Sequence, residues 1–314
     1  MEILFTFKIR EHQENELKES FPTLSFHFVG SLDDDKIETA DVIVTYGSDI
    51  DLALLNRAAS LKWLMVASAG VEKMPLDEIA KRDILITNVR GIHKTPMAES
   101  VLAHVLALRR SIPEIYEVNE TKNWGSKFKS GELKGATAII LGPGSIGSEI
   151  GRLLQAFGVR TIGCNRTGRM AVSMDEIILF DELLARLPEA DFVISVLPST
   201  KETKGLLTTN HFKAMKNSAV FMNFGRGDIT DEAVLIRALK DGAIGHAVLD
   251  VFQTEPLPVE NELWTLKNCT VSPHVSGKSG KYIDRSLVIF KENLEKWLKA
   301  ETDLVNVINT EIGY

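Results

Sequence analysis

The chain has 314 residues, more than one hydrophobic core usually supports, so two domains are expected. With 44% hydrophobic and 25% charged residues and a mean hydropathy near zero, it reads as a soluble globular protein. A net charge of −7 without any basic block argues against nucleic acid as a partner. The opening MEILFTFKIREHQENE turns acidic after one short apolar run and reads as a strand, not a signal peptide. No apolar stretch approaches membrane-spanning length, so a cytoplasmic location without membrane contact is expected. Cys164 and Cys269 make neither a disulfide framework nor a metal motif, and no metal is expected.

Along the first part of the chain, short apolar runs at 3–8, 25–29, 41–46, 61–67 and 84–88 read as strands. Polar or amphipathic stretches such as 12–20 and 49–59 separate them, which predicts a parallel sheet with helices on both faces. Thr95 can cap a helix with Pro96 at its first position, followed by MAESVLAHVLALRR. The stretch 124–134 reads as a loop.

The most informative unit comes next, KGATAIILGPGSIGSEIGRLLQAFG. A buried strand at 137–141 runs into the glycines Gly142, Gly144 and Gly147 and then an amphipathic helix. In a dinucleotide site these glycines serve the tight turn, the close approach to a pyrophosphate and helix–strand packing. The helix start offers unpaired N–H groups and positive dipole charge to an anion. Pro143 has no N–H, so the donors fall to Ser145 and Ile146.

Sites that prefer NAD usually place Asp or Glu at the end of the second strand, on the ribose hydroxyls. Here the strand at 160–164 ends in Asn165, Arg166 and Thr167, and Asn165 lies 18 residues after Gly147. A carboxylate there would repel a 2′-phosphate; Asn and Thr can bond it, and Arg166 or Arg169 can pair with it. NADP(H) is therefore the expected cofactor, with NAD(H) possible.

Further strands at 192–197, 219–223, 247–249 and 270–272 complete a second βα series, as in a doubly wound dinucleotide fold. A last helix carries Ile283, Leu287, Phe290, Leu294 and Trp297 on one stripe and can return the chain to the first domain. The expected organisation is a discontinuous substrate domain at 1–97 plus 284–314 and a cofactor domain at 98–283.

Three strand ends carry candidates for chemistry: Arg226 in NFGRGDITDE, Asp250 and Glu255 in LDVFQTEPLP, and His274 in SPHVSG. Open α/β sheets form their ligand crevice at such ends. Reducing a 2-oxo acid requires a hydride, a proton for the carbonyl oxygen and a cation for the carboxylate. His274 suits the proton donor, Glu255 suits its orienting carboxylate, and Arg226 suits the carboxylate clamp.

In order, GPGSIG, LPSTKETKGLL, NFGRGDITDEAVLIRAL, LDVFQTEPLP and SPHVSG resemble the signature segments of the D-isomer-specific 2-hydroxyacid dehydrogenases, and the match runs from about Val66 through the last helix. The resemblance implies a Rossmann cofactor domain inserted in a flavodoxin-like substrate domain, and Arg226, Glu255 and His274 as the catalytic set. It implies Asp250 near the nicotinamide carboxamide, with Val196, Leu197, Pro198, Ser199, Thr203, Phe224, Gly225, Arg226 and His274 along the cofactor. Backbone around Ala69, Gly70 and Val71, with Arg226 and His274, is implied to bind the substrate. A homodimer acting on a small 2-oxo or 2-hydroxy acid is also implied. The Asn165–Arg166–Thr167 run is similar to the NADP-using glyoxylate and hydroxypyruvate reductase branch. A catalytically silent nucleotide-binding regulator is the alternative, against which the intact Arg, Glu and His set argues. Formate-oxidising relatives carry glutamine at the position of Glu255, so that chemistry is not expected.

Overall fold

In a computed structural model, residues 1–30, 35–68, 70–71, 74–124 and 127–310 are described. The chain divides into two compact units, Met1–Ile92 with Ser279–Tyr314, and His93–Lys278.

The first unit holds a parallel sheet of β1 (Glu2–Phe5), β2 (Ser25–Phe28), β3 (Val42–Thr45), β4 (Trp63–Val66) and β5 (Leu85–Asn88). The strand order is β2-β1-β3-β4-β5, the flavodoxin-like order. Because side chains alternate across a strand, Leu4, Ile43 and Leu64 feed one core, and Ile3, Phe5, Val42 and Trp63 feed the other. Helices α1 (Glu11–Ser20), α2 (Leu52–Arg57) and α3 (Leu76–Lys81) follow strands of this sheet. The last helix, Tyr282–Leu298, covers the second core with the stripe expected of it. Phe290 stacks on Trp63 at 5.7 Å and meets Phe5 edge-on at 5.4 Å, and Trp297 stacks on Trp63 at 5.6 Å. Beyond the helix, Asn88 N–H donates to the Asn306 carbonyl and Ile308 N–H to the Ile86 carbonyl, which closes the open edge of β5.

The second unit begins with α4 (Lys94–Arg109) and α5 (Ile112–Thr121). The capping residue of α4 is His93, not Thr95, and Pro96 is the third helical residue. A proline fits there because first-turn N–H groups have no intrahelical partner. The Met97 N–H then starts the ladder on the His93 carbonyl at 3.0 Å. Helix α4 buries Ala98, Val101 and Val105, whereas α5 buries nothing.

The second parallel sheet comprises β6 (Thr137–Leu141), β7 (Arg160–Cys164), β8 (Glu176–Ile178), β9 (Phe192–Ser195), β10 (Val220–Asn223), β11 (His246–Leu249) and β12 (Cys269–Val271). Its order, β12-β11-β10-β9-β6-β7-β8, is the Rossmann order with one added edge strand. Helices α6 (Ser145–Ala156), α7 (Leu183–Arg186), α8 (Thr209–Ala214) and α9 (Glu232–Lys240) connect its strands. Ile139 and Leu141 point into one core, and Ala138 and Ile140 into the other. Strand β8 was not anticipated: it is three residues long, and its pairing of Cys164 with Ile178 extends the sheet beyond β7.

At that edge Glu176 joins Arg186 at 2.6 Å and Arg160 at 2.7 Å, and the same arginines reach Glu189. Hydrogen bonds from Arg186 hold the Glu176 carboxyl at about 2, below its ordinary 4.5. A carboxyl depressed in the folded state stabilises fully above the unfolded value and loses that contribution as pH falls toward the folded one. Urea midpoints of the wild type should therefore decline more steeply between pH 4.5 and about 2 than those of Glu176→Gln; parallel curves would contradict this.

Candidate active site

The glycine turn has the expected local construction. Gly142 has φ +89°, and a Cβ on Gly147 would lie 2.4 Å from the Gly142 carbonyl oxygen, so the helix seats on the turn only with glycine there. Gly144 caps α6 without any side-chain hydrogen bond, and a Cβ on it would meet nothing within 4 Å. The first turn of α6 carries no acidic side chain. An uncapped helix start, open space over Gly144 and no competing carboxylate in that turn fit the pyrophosphate of a dinucleotide.

At the end of β7 the Asn165 side chain is committed to its own turn. Its Oδ1 accepts from Thr167 N–H at 3.0 Å and Gly168 N–H at 2.7 Å, and its Nδ2 donates to the Arg169 carbonyl at 2.9 Å. Arg166, Thr167 and Arg169 are exposed. After β9, Val196 N–H donates to the Leu141 carbonyl and Leu197 is buried. The buried Thr203 hydroxyl donates to the Pro198 carbonyl at 2.6 Å, and Ser199 donates to Asp228 at 2.6 Å.

Arg226 follows β10 in extended backbone, between two glycines where other chain passes closely. A Cβ on Gly225 would stand 2.4 Å from the Leu197 carbonyl oxygen, and one on Gly227 only 2.0 Å from the Phe252 carbonyl carbon. Asn223 braces the loop by accepting from Gly225 N–H and donating to the Arg226 carbonyl, at 3.1 and 2.9 Å. Phe224 is buried behind it.

Glu255 and His274 meet directly, His274 Nδ1 donating to Glu255 Oε2 at 2.7 Å. An ionised carboxylate only accepts, so the Nδ1–H tautomer is fixed and Nε2 is left for chemistry. Glu255 Oε1 in turn accepts from Phe252 N–H at 3.0 Å. His274 has φ +52°, a conformation costing roughly 1–2 kcal/mol for an L-residue.

Asp250 supplies what holds that strained segment. Its side chain is 1% exposed and accepts from Ser272 Oγ at 2.5 Å, Val275 N–H at 2.9 Å, and both the N–H and hydroxyl of Ser276. All these donors lie in the loop that carries His274, so the Asp250 carboxylate is bonded to that loop.

Residues not anticipated also gather here. His93 packs against the loop, since a Cβ on Gly277 would stand 2.9 Å from its ring. Burial, then the positive charges of Arg226 and His274, hold the His93 imidazole below its usual value. Ser272 and Ser276 likewise carried no isolated signal, although both lie in the VSPHVSG segment. Of the substrate candidates, Gly70 and the buried Val71 follow β4 in the first unit, with Ser68 Oγ donating to the Gly70 carbonyl at 2.9 Å. Ala69 lies outside the described residues.

A Rossmann-ordered sheet with a glycine turn at a helix start, and an Arg, a Glu–His pair and a buried Asp after adjacent strands, define a dinucleotide-fold enzyme class. The family model for the D-isomer specific 2-hydroxyacid dehydrogenase, NAD binding domain, matches residues 102–276. The glyoxylate reductase/hydroxypyruvate reductase of Mus musculus is 34% identical over 260 residues, 80% of this chain and 79% of that one. A glyoxylate reductase of Aeropyrum pernix is 30% identical over 289 residues, 88% of this chain and 85% of that one. Among solved structures, a D-isomer specific 2-hydroxyacid dehydrogenase family protein from Aeromonas salmonicida superposes with a TM-score of 0.88 at 34% identity, covering 98% of this chain and 99% of that one. An NADPH-dependent glyoxylate/hydroxypyruvate reductase from Sinorhizobium meliloti, in complex with NADP and sulfate, gives 0.82 at 26%, covering 100% and 99%. The chain belongs to the D-isomer specific 2-hydroxyacid dehydrogenase family.

Replacing Asp250 by Ala would leave the buried donors of Val275 and Ser276 unpaired. It should lower the unfolding free energy by about 2–3 kcal/mol in urea denaturation; a change under about 0.5 kcal/mol would contradict the clamp.

Proposed function

We propose that this protein reduces small 2-oxo acids to D-2-hydroxy acids with NADP(H), with glyoxylate and hydroxypyruvate as the preferred substrate class. The observation that carries the reading is the 2.7 Å pair of Glu255 and His274, placed after β11 and β12 beside the β10 loop that bears Arg226. The names of the mouse and Aeropyrum relatives support the substrate class.

When bound, the nicotinamide supplies the hydride to the carbonyl carbon. His274 would hold a proton at Nε2 for the carbonyl oxygen, and Glu255 fixes the ring through Nδ1. Arg226 takes the substrate carboxylate with a planar fork and opposes negative charge developing on the oxygen. The backbone of Gly70 and Val71, in the first unit, would also contribute to substrate binding. The turn at Gly142, Gly144 and Gly147, with the N–H groups of Ser145 and Ile146, would hold the pyrophosphate. Val196 to Ser199, Thr203, Phe224 and Gly225 would line the cofactor, and Asp250 would position the His274 loop beside it. Asn165, Arg166 and Thr167, without a carboxylate among them, support a 2′-phosphorylated cofactor.

A homodimer is part of the proposal. Helix α5 buries no residue, and Ile115, Tyr116 and Trp124 stand exposed, Trp124 at 96%. Exposed apolar side chains of this size suit a subunit contact.

The test is NADPH consumption with glyoxylate, hydroxypyruvate, pyruvate and phenylpyruvate, repeated with NADH. Turnover should be highest with the two small substrates and more efficient with NADPH. His274→Ala should lose about a hundredfold or more in kcat while NADPH binding, followed by fluorescence, stays near normal. Loss of less than about tenfold would contradict the proton-donor role. Cofactor binding without turnover of any 2-oxo acid would instead identify a regulator.

A further inference from the structure

The loop that would receive a 2′-phosphate already has an anion on its arginine. Arg166 Nη1 stands 3.5 Å from Oε1 of Glu202, which lies in the loop after β9. Asn165 is consumed within its own turn, so Arg166 is the guanidinium immediately at the position that an NAD-preferring site gives to an acid. The carboxylate facing it is half exposed. Its own backbone N–H, and then the Thr200 hydroxyl, hold the Glu202 carboxyl below its ordinary range. The turn beneath is knotted by Thr203, 5% exposed, whose hydroxyl accepts from Thr200 N–H at 2.8 Å and donates to the Pro198 carbonyl at 2.6 Å.

We propose that Glu202 is the resident counter-ion of Arg166, which a 2′-phosphate must displace, and that it thereby limits the preference of this site for NADP(H) over NAD(H). This rests on the NADP(H) reading above. A phosphate monoester brings nearly two negative charges and can take the guanidinium bidentately, so it outcompetes one carboxylate. A cofactor with a free 2′-hydroxyl has no need to break the pair. Glu202 therefore weakens binding of the phosphorylated cofactor selectively. Arg166 is 69% exposed and Glu202 52%, so the effect is modest and salt-dependent.

Calorimetric titrations of the full chain with 2′,5′-ADP and 5′-AMP test the idea without turnover. In Glu202→Gln the ratio of Kd for 5′-AMP to Kd for 2′,5′-ADP should rise by about threefold to fivefold over wild type at low salt. The rise should vanish in an Arg166→Ala background and shrink in molar-range salt. An unchanged ratio, or the same rise without Arg166, would overturn the proposal. The wild-type ratio judges the NADP(H) reading separately: a value at or below one would contradict that reading whatever Glu202→Gln does.

Discussion

The buried carboxylate of Asp250 is the constraint on which the site's geometry depends. A charge at 1% exposure is tolerable only if its oxygens are bonded, and its donors are Ser272, Val275 and Ser276. That requirement fixes the backbone on either side of His274, whose φ of +52° is one that L-residues avoid. The imidazole is thus aimed by its main chain as well as by Glu255. Glu255 is itself held by Phe252 N–H, two residues beyond Asp250. One strand end, that of β11, therefore supplies both the clamp on the histidine loop and the partner of the ring.

The arginine side of the site is built by close approach instead. Gly225 and Gly227 flank Arg226 where neighbouring main chain leaves no volume for a side chain, so the loop is pinned between the segments after β9 and β11. The loops after β9, β10 and β11 are consequently packed on one another. His93 adds a second imidazole to the site, with burial first and then the charges of Arg226 and His274 disfavouring its protonated form.

Much of this is legible in the chain because the signals are local. The β-runs at 137–141 and 160–164, the three glycines, and the stripe from Ile283 to Trp297 each state their element within a few residues. Strand β8 is not legible: three residues beside Asp175 are too short for alternation to emerge, and the strand exists through pairing with β7. The start of α4 at Lys94 is not legible because Thr95–Pro96 imitates a cap, while proline is equally acceptable within the first turn. Arg226, Glu255 and His274 could be chosen from chemical type and strand position. The orientation of Asp250 and the pairing of Arg166 with Glu202 could not, because both are decided by residues 22 to 36 positions away.

The central claim is that Glu255 and His274 act as one proton-delivering pair, and Glu255→Gln tests it most directly. The amide can still accept from Nδ1 and keep the ring in place, but it removes the carboxylate's negative charge from beside the ring. The account predicts that kcat for glyoxylate reduction falls by about tenfold or more, with NADPH affinity retained. A variant that turns over as fast as the wild type would contradict it.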